Sequence, residues 1–187
     1  DINETPKFHR KQWEFFIIQH KIMSHFGKIE NLQGLGFAVG SEILLPYYVK
    51  KGAKITGSDL DPNDEKSHAW IKTNQHITNL VNQNIVDKDV FQQNYSSEYI
   101  DMNNMPDSCL QNNFDFIWSS CALEHLGSIQ KGIDYIKNSL KCLKNGGIAV
   151  HTTEYNVSSE TDHCDHNDSC IFSRFDLLNL KNDIELL

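Results

Sequence analysis

The chain has 187 residues, a formal net charge of −8 and 39% hydrophobic residues. That length suits one domain with a real core, and an acidic balance without clustered lysines or arginines argues against a nucleic-acid partner. No apolar run approaches the ~20 residues of a membrane span, no basic-then-apolar leader opens the chain, and five cysteines without paired spacing suit reduced thiols in the cytoplasm.

The first element predicted is a helix from about Pro6 to Phe26, ended by Gly27. Trp13, Phe16, Ile17, His20 and Ile22-Met23 recur near the helical period and are expected to face the sheet. A lid is the alternative, because His9, Arg10 and Lys11 could reach an acceptor anion. A first strand is expected over Lys28–Leu35, although Glu30, Asn31 and Gln33 interrupt it. The glycine-rich stretch Gly34-Leu-Gly-Phe-Ala-Val-Gly40 then reads as a turn. Ser41–Lys51 is the first crossover helix, with Ser41 as its cap, Pro46 inside and Gly52 at its end. Ala53–Ser58 is the second strand, followed by the carboxylates Asp59 and Asp61.

Asn63 to about Val86 reads as broken helix with Ala69, Trp70, Thr73, Ile77, Leu80 and Val81 inside. Tyr95–Asp101 and Phe114–Ser119 are the third and fourth strands. Ser128–Lys144 is a helix with an apolar stripe, ended by Gly146-Gly147, and Ile148–Thr153 is the fifth strand. A polar loop over Glu154–Cys170 and a helix over Phe175–Leu187 complete the chain. Strands alternating with helices at this spacing imply an α/β fold with a parallel sheet, whose ligand sits at the carboxyl ends of the strands. The whole of 1–187 is expected to be a single domain: an N-terminal helix over 1–27, a core over 28–156, and a loop with a C-terminal helix over 157–187.

Gly34, Gly36 and Gly40 do not match the dinucleotide Gly-x-Gly-x-x-Gly spacing, which disfavours an NAD-dependent oxidoreductase. Asp59 stands about where a ribose-binding acid belongs, so a nucleoside cofactor is expected.

Three later phrases narrow the reading. Tyr99-Ile-Asp101-Met102, Phe114-Asp-Phe-Ile-Trp-Ser-Ser-Cys-Ala-Leu-Glu-His-Leu-Gly127 and Cys142-Leu-Lys-Asn-Gly-Gly-Ile-Ala-Val-His-Thr-Thr-Glu-Tyr-Asn156 together resemble the class I S-adenosylmethionine-dependent methyltransferases. The resemblance covers about Gly34 to Asn156. It implies the doubly wound, mostly parallel Rossmann-like methyltransferase fold. That fold normally ends in an antiparallel hairpin of two further strands, and this chain stops at the helix before them.

The resemblance also implies residue roles. Gly34, Gly36 and Gly40 would carry the turn under the methionine part of S-adenosylmethionine. Asp59 would bind the ribose hydroxyls, Leu60 would pack on the adenine, Asp101 would accept from its amino group, and the Met102 backbone would meet the ring edge. Ser119 and Ser120 would face the methionine part and the acceptor. The family usually has an acid where Gly34 stands, so its amine contact falls to Glu42 or a serine, and its middle glycine is Ala38 here.

For the acceptor, a base is expected among His125, His151 and Glu154, which flank the strand ends. His163-Cys164-Asp165-His166 with Cys170 has ligand-like composition. Adjacent residues cannot readily share one ion, so this stretch is read as a solvated loop and no metal is expected. The functional expectation is methyl transfer to a small, sugar-related acceptor, with no membrane partner. An inactive methyltransferase-like binding module is the alternative.

Overall fold

The computed structural model describes residues 9–79, 85–111, 113–166 and 169–185. The first described element is helix α1 (Arg10–Phe26), which Gly27 ends at φ 73° with its amide donating to the Met23 carbonyl. Strand β1 (Gln33–Phe37) leads through a turn to α2 (Leu44–Lys50), and β2 (Lys54–Asp59) follows. A helical turn and the short α3 (His68–Lys72) come next, then α4 (Lys88–Asn94) and β3 (Tyr95–Tyr99). Strand β4 (Phe114–Ser120), helix α5 (Ile129–Ser139), strand β5 (Leu143–Thr152) and α6 (Arg174–Ile184) complete the described fold. No helix among the described residues is long and apolar enough to cross a membrane.

The five strands form one all-parallel sheet in the order β3-β2-β1-β4-β5. The order reverses between β1 and β4, and a ligand crevice is expected outside the carboxyl ends at that point. Two apolar layers cover the sheet. Ile18 and Ile22 of α1 and Leu45 and Tyr48 of α2 pack on Phe116 and Trp118 of β4. On the opposite face, Leu35, Phe37 and Ile117 pack with Ile129 and Tyr135 of α5 and with Phe172.

Several expected boundaries move. The first strand begins five residues later than predicted and runs through Gly34 and Gly36 to Phe37. Both glycines pair across to β4, Gly34 beside Phe116 and Gly36 beside Trp118. A Cβ on Gly34 would stand 2.4 Å from the Phe116 ring, and one on Gly36 would stand 2.5 Å from the Trp118 ring. These glycines therefore make room for aromatic rings inside the sheet, and the turn proper starts at Ala38. Ser41 does not cap α2; its hydroxyl donates to the Asn74 carbonyl, and Pro46 falls in the first turn, where it costs no hydrogen bond. Gly146 and Gly147 lie within β5 rather than ending a helix. The β4–β5 register slips there, between Phe114 and Phe116. Helix α4 lies inside a stretch with no expected element.

The apolar face of α1 also differs from expectation. Ile18 and Ile22 are buried, whereas Trp13, Phe16 and Ile17 are 67%, 51% and 39% exposed. In α3 and the stretch after it, Ile77 is buried as expected, Ala69 and Thr73 are exposed, and Leu80 and Val81 lie outside the described residues.

Candidate functional site at the carboxyl ends of the strands

The turn after β1 takes left-handed backbone twice, at Ala38 (φ 47°) and Gly40 (φ 51°). For alanine that conformation costs roughly 1–2 kcal/mol. Gly40 has no alternative residue, because a Cβ there would lie 2.5 Å from the Gln75 carbonyl oxygen.

Asp59, at the end of β2, is 6% exposed. Its Oδ2 accepts from the amides of Gly40 (3.3 Å) and Ile77 (3.1 Å), and its Oδ1 accepts from the Leu60 amide (3.0 Å). A carboxylate offers about four lone-pair sites, so these amides leave about one free, on Oδ1. Burial pushes the Asp59 carboxyl above its ordinary value, against the pull of the three amides and of His76. The segment around Gln75–Thr78 therefore lies over the turn and over Asp59. His76 anchors it, with Nε2 at 2.9 Å from the Leu60 carbonyl and Nδ1 at 3.0 Å from Thr78 Oγ1.

Glu42 is the buried carboxyl nearest the turn in sequence. The Trp118 indole donates to its Oε1 at 2.5 Å, and burial raises its pKa to about 8. Asp101 follows β3 as expected. It is half-buried, accepts from the Asn103 amide at 2.8 Å and sits 3.5 Å from Lys66 Nζ; Met102 behind it is buried in the core.

Ser119 and Ser120 separate, because successive strand residues point to opposite faces. Ser119 Oγ lies 2.8 Å from His151 Nδ1, on the α5 side. Ser120 Oγ donates to Glu14 Oε2 at 3.0 Å, on the α1 side, and Lys11 Nζ donates to the Ser120 carbonyl at 2.9 Å. The two serines thus do not share one pocket wall.

His151 is held at both nitrogens, with Nε2 3.4 Å from Ser139 Oγ and the Tyr135 ring edge-on at 5.4 Å. Burial lowers its pKa to about 4. Packed in this way, it has no nitrogen left for an acceptor proton. His125 is exposed and edge-on to Trp70 at 4.9 Å.

Glu154 sits where expected, after β5, and pairs with Arg10. Arg10 also lies 3.7 Å from Glu14, and Lys11 lies 3.2 Å from the same carboxylate. The α1 N-terminus thus reaches the carboxyl ends of β4 and β5, as the lid alternative required. Glu14 is not among the residues expected at the site; the spacing of Arg10, Lys11 and Glu14 on one helical face is the signal that points to it. Burial alone would raise Glu14, yet the Cys121 thiol and the Lys11 ammonium bring it below its ordinary value.

The loop cluster at 163–170 stays together only in part, with the Cys170 thiol 3.5 Å from Asp165 Oδ1. His163 Nδ1 pairs with Asp176 at 3.0 Å, Asp165 accepts from the Ile129 amide at 2.8 Å, and Cys170 bonds to the His166 carbonyl. Among the described residues these side chains form no three-ligand group.

The sequence matches no family model and no curated protein. Solved structures do resemble it. The [4+2]-cyclase SpnF superposes over 98% of this chain and 60% of its own, at 14% identity and TM-score 0.63. The 1,6-didemethyltoxoflavin-N1-methyltransferase of Burkholderia thailandensis, solved with S-adenosylhomocysteine, covers 93% of this chain and 69% of its own, at 14% identity and TM-score 0.55. DesVI of Streptomyces venezuelae covers 81% and 54%, at 16% identity and TM-score 0.52. The chain has the Rossmann-like methyltransferase fold. It spans between about half and two thirds of the length of these structures, and a cyclase among them illustrates that the fold alone does not fix a reaction.

Proposed function

We propose that the chain is an S-adenosylmethionine-dependent methyltransferase acting on a small, sugar-related acceptor. The observation that carries the reading is Glu42, a buried carboxyl beside the β1 turn whose Oε1 is fixed by the Trp118 indole. It suits the ammonium of an amino-acid ligand and stands in for the acid missing at Gly34. Gly40 and Ala38 would pass under the methionine part, while Asp59 would take one ribose hydroxyl through its remaining lone pair. Leu60 would pack on the adenine, with Asp101 and the Met102 backbone at the ring edge. When bound, the cofactor supplies a sulfonium-activated methyl group, so the protein has chiefly to align the partners and exclude water.

The acceptor end is the polar cluster of Arg10, Lys11, Glu14, Ser120 and Glu154. Its mixed charges suit a hydroxyl-rich molecule, and Arg10 and Lys11 suit an anionic substituent on it. Glu154 is the base this arrangement favours, since both nitrogens of His151 are engaged; His125 stays a second candidate from the exposed side.

The test is calorimetric titration with S-adenosylhomocysteine, followed by a screen of hydroxylated acceptors that reads thioether release. Binding with turnover is expected. Absence of binding heat would sink the reading. Binding without turnover on any acceptor would favour the inactive binding module.

A further inference from the structure

At the ends of β4 and β5, three ligand atoms converge, of which the acceptor reading uses only that of Glu154. Cys121 follows β4, Glu124 lies in the turn after it, and Glu154 follows β5. The Cys121 sulfur and one oxygen from each carboxylate all lie within 4.8 Å of one another. Among the described residues no other trio of His, Cys, Asp and Glu gathers so closely. A second observation points to a missing partner. Glu124 is 1% exposed. Its Oε2 accepts from Thr153 Oγ1 at 3.3 Å, but its Oε1 is buried with no hydrogen-bond donor. Leaving such a group unsatisfied costs roughly 1–3 kcal/mol, and an ion held between this carboxylate and the two neighbouring ligand residues would supply the missing partner.

We propose that Cys121, Glu124 and Glu154 bind a divalent transition-metal ion of the zinc class. The donor set selects the ion. Magnesium and calcium take oxygen donors, whereas a thiolate with two carboxylates suits zinc or its softer neighbours. Three protein ligands leave a fourth position open, the arrangement of sites in which a metal meets water or a substrate oxygen. The open position would lie among Arg10, Glu14 and Ser120, at the proposed acceptor end. Arg10 pairs with Glu154, so the guanidinium holds that carboxylate until a dication exchanges for it. The metal site does not depend on the methyltransferase reading, because its test reads binding alone.

The test titrates the chelator-treated chain with Zn²⁺ by calorimetry and with Co²⁺ by absorption. One Zn²⁺ per chain is expected, with a near-ultraviolet thiolate-to-cobalt band. Cys121→Ser should abolish the band, and Glu124→Gln should weaken Zn²⁺ binding at least tenfold. Glu154→Gln, at a half-buried site, should weaken it comparably and serves if either other variant fails to fold. Cys164→Ser, which removes an exposed thiol beside His163, should change nothing. Absence of stoichiometric binding, or a band that survives Cys121→Ser and disappears with Cys164→Ser, would overturn the proposal.

Discussion

Gly36 and Asp59 share a sequence motif but answer to different forces. Gly36 is dictated by Trp118, whose ring occupies the space a Cβ would need. Gly36→Ala should therefore destabilise the chain by about 1–3 kcal/mol, the usual cost of overpacking, and leave ligand affinity nearly unchanged at temperatures where the variant stays folded. Chemical denaturation beside a ligand titration separates the two effects. Asp59 serves the fold and, in the proposed function, the cofactor as well. Asp59→Asn places an amide donor among the N–H groups of Gly40, Leu60 and Ile77, so stability should fall by about 1–3 kcal/mol. Affinity for S-adenosylhomocysteine should fall with it. A loss of stability with affinity intact would place the ribose elsewhere.

Helix α1 shows where sequence patterning runs out. Its run Trp13-Glu-Phe-Phe-Ile-Ile18 is apolar nearly all round, so periodicity alone could not choose the face that meets the sheet. Packing chose Phe15, Ile18, Ile22 and Phe26, spaced by three or four residues, and left Trp13 and Phe16 outside. Ile18→Ala should cost about 2–4 kcal/mol, whereas Trp13→Ala should stay within about 0.5 kcal/mol; urea unfolding of both variants reads the difference, and a reversed order would mean the helix seats on its other face. The same limit explains β1. Strand propensity disfavours glycine, so the expected strand stops at Leu35 and Gly36-Phe37 reads as part of the turn until the rings of β4 are placed beside it. By contrast β4, whose Phe-Asp-Phe-Ile-Trp run announces a strand on its own, and the alternation that makes the sheet parallel were legible. So was the position of Glu154 after β5. The occupied lone pairs of Asp59, the seating of His151 between two serines and the contact of Glu14 with Ser120 were not. Each depends on segments far apart in the chain.

Across the whole molecule, the desolvated side chains of Glu42 and His151 pull stability in opposite directions with pH. Glu42 has its pKa raised from 4.5 to about 8. The folded state holds that proton more tightly than the unfolded chain, so its contribution is complete below pH 4.5 and is lost as pH rises towards 8. His151 has its pKa lowered from 6.5 to about 4. Its contribution is complete above pH 6.5 and is lost as pH falls towards 4. Between about pH 4.5 and 6.5 the two slopes cancel, each being at most about 1.4 kcal/mol per pH unit for one proton. Of these two groups Glu42 alone is still changing above pH 6.5, and Asp59, raised in the same direction by burial, does not oppose it. Urea unfolding should therefore find a plateau near pH 5–6.5 and a decline of a few kcal/mol by pH 8. Glu42→Gln keeps an oxygen for the Trp118 indole and has no proton to lose, so it should flatten that decline and leave the variant more stable than the parent at pH 8, though not at pH 5. Equal slopes in the two proteins would show that the carboxyl is already ionised in the fold, held by a cation rather than by a proton.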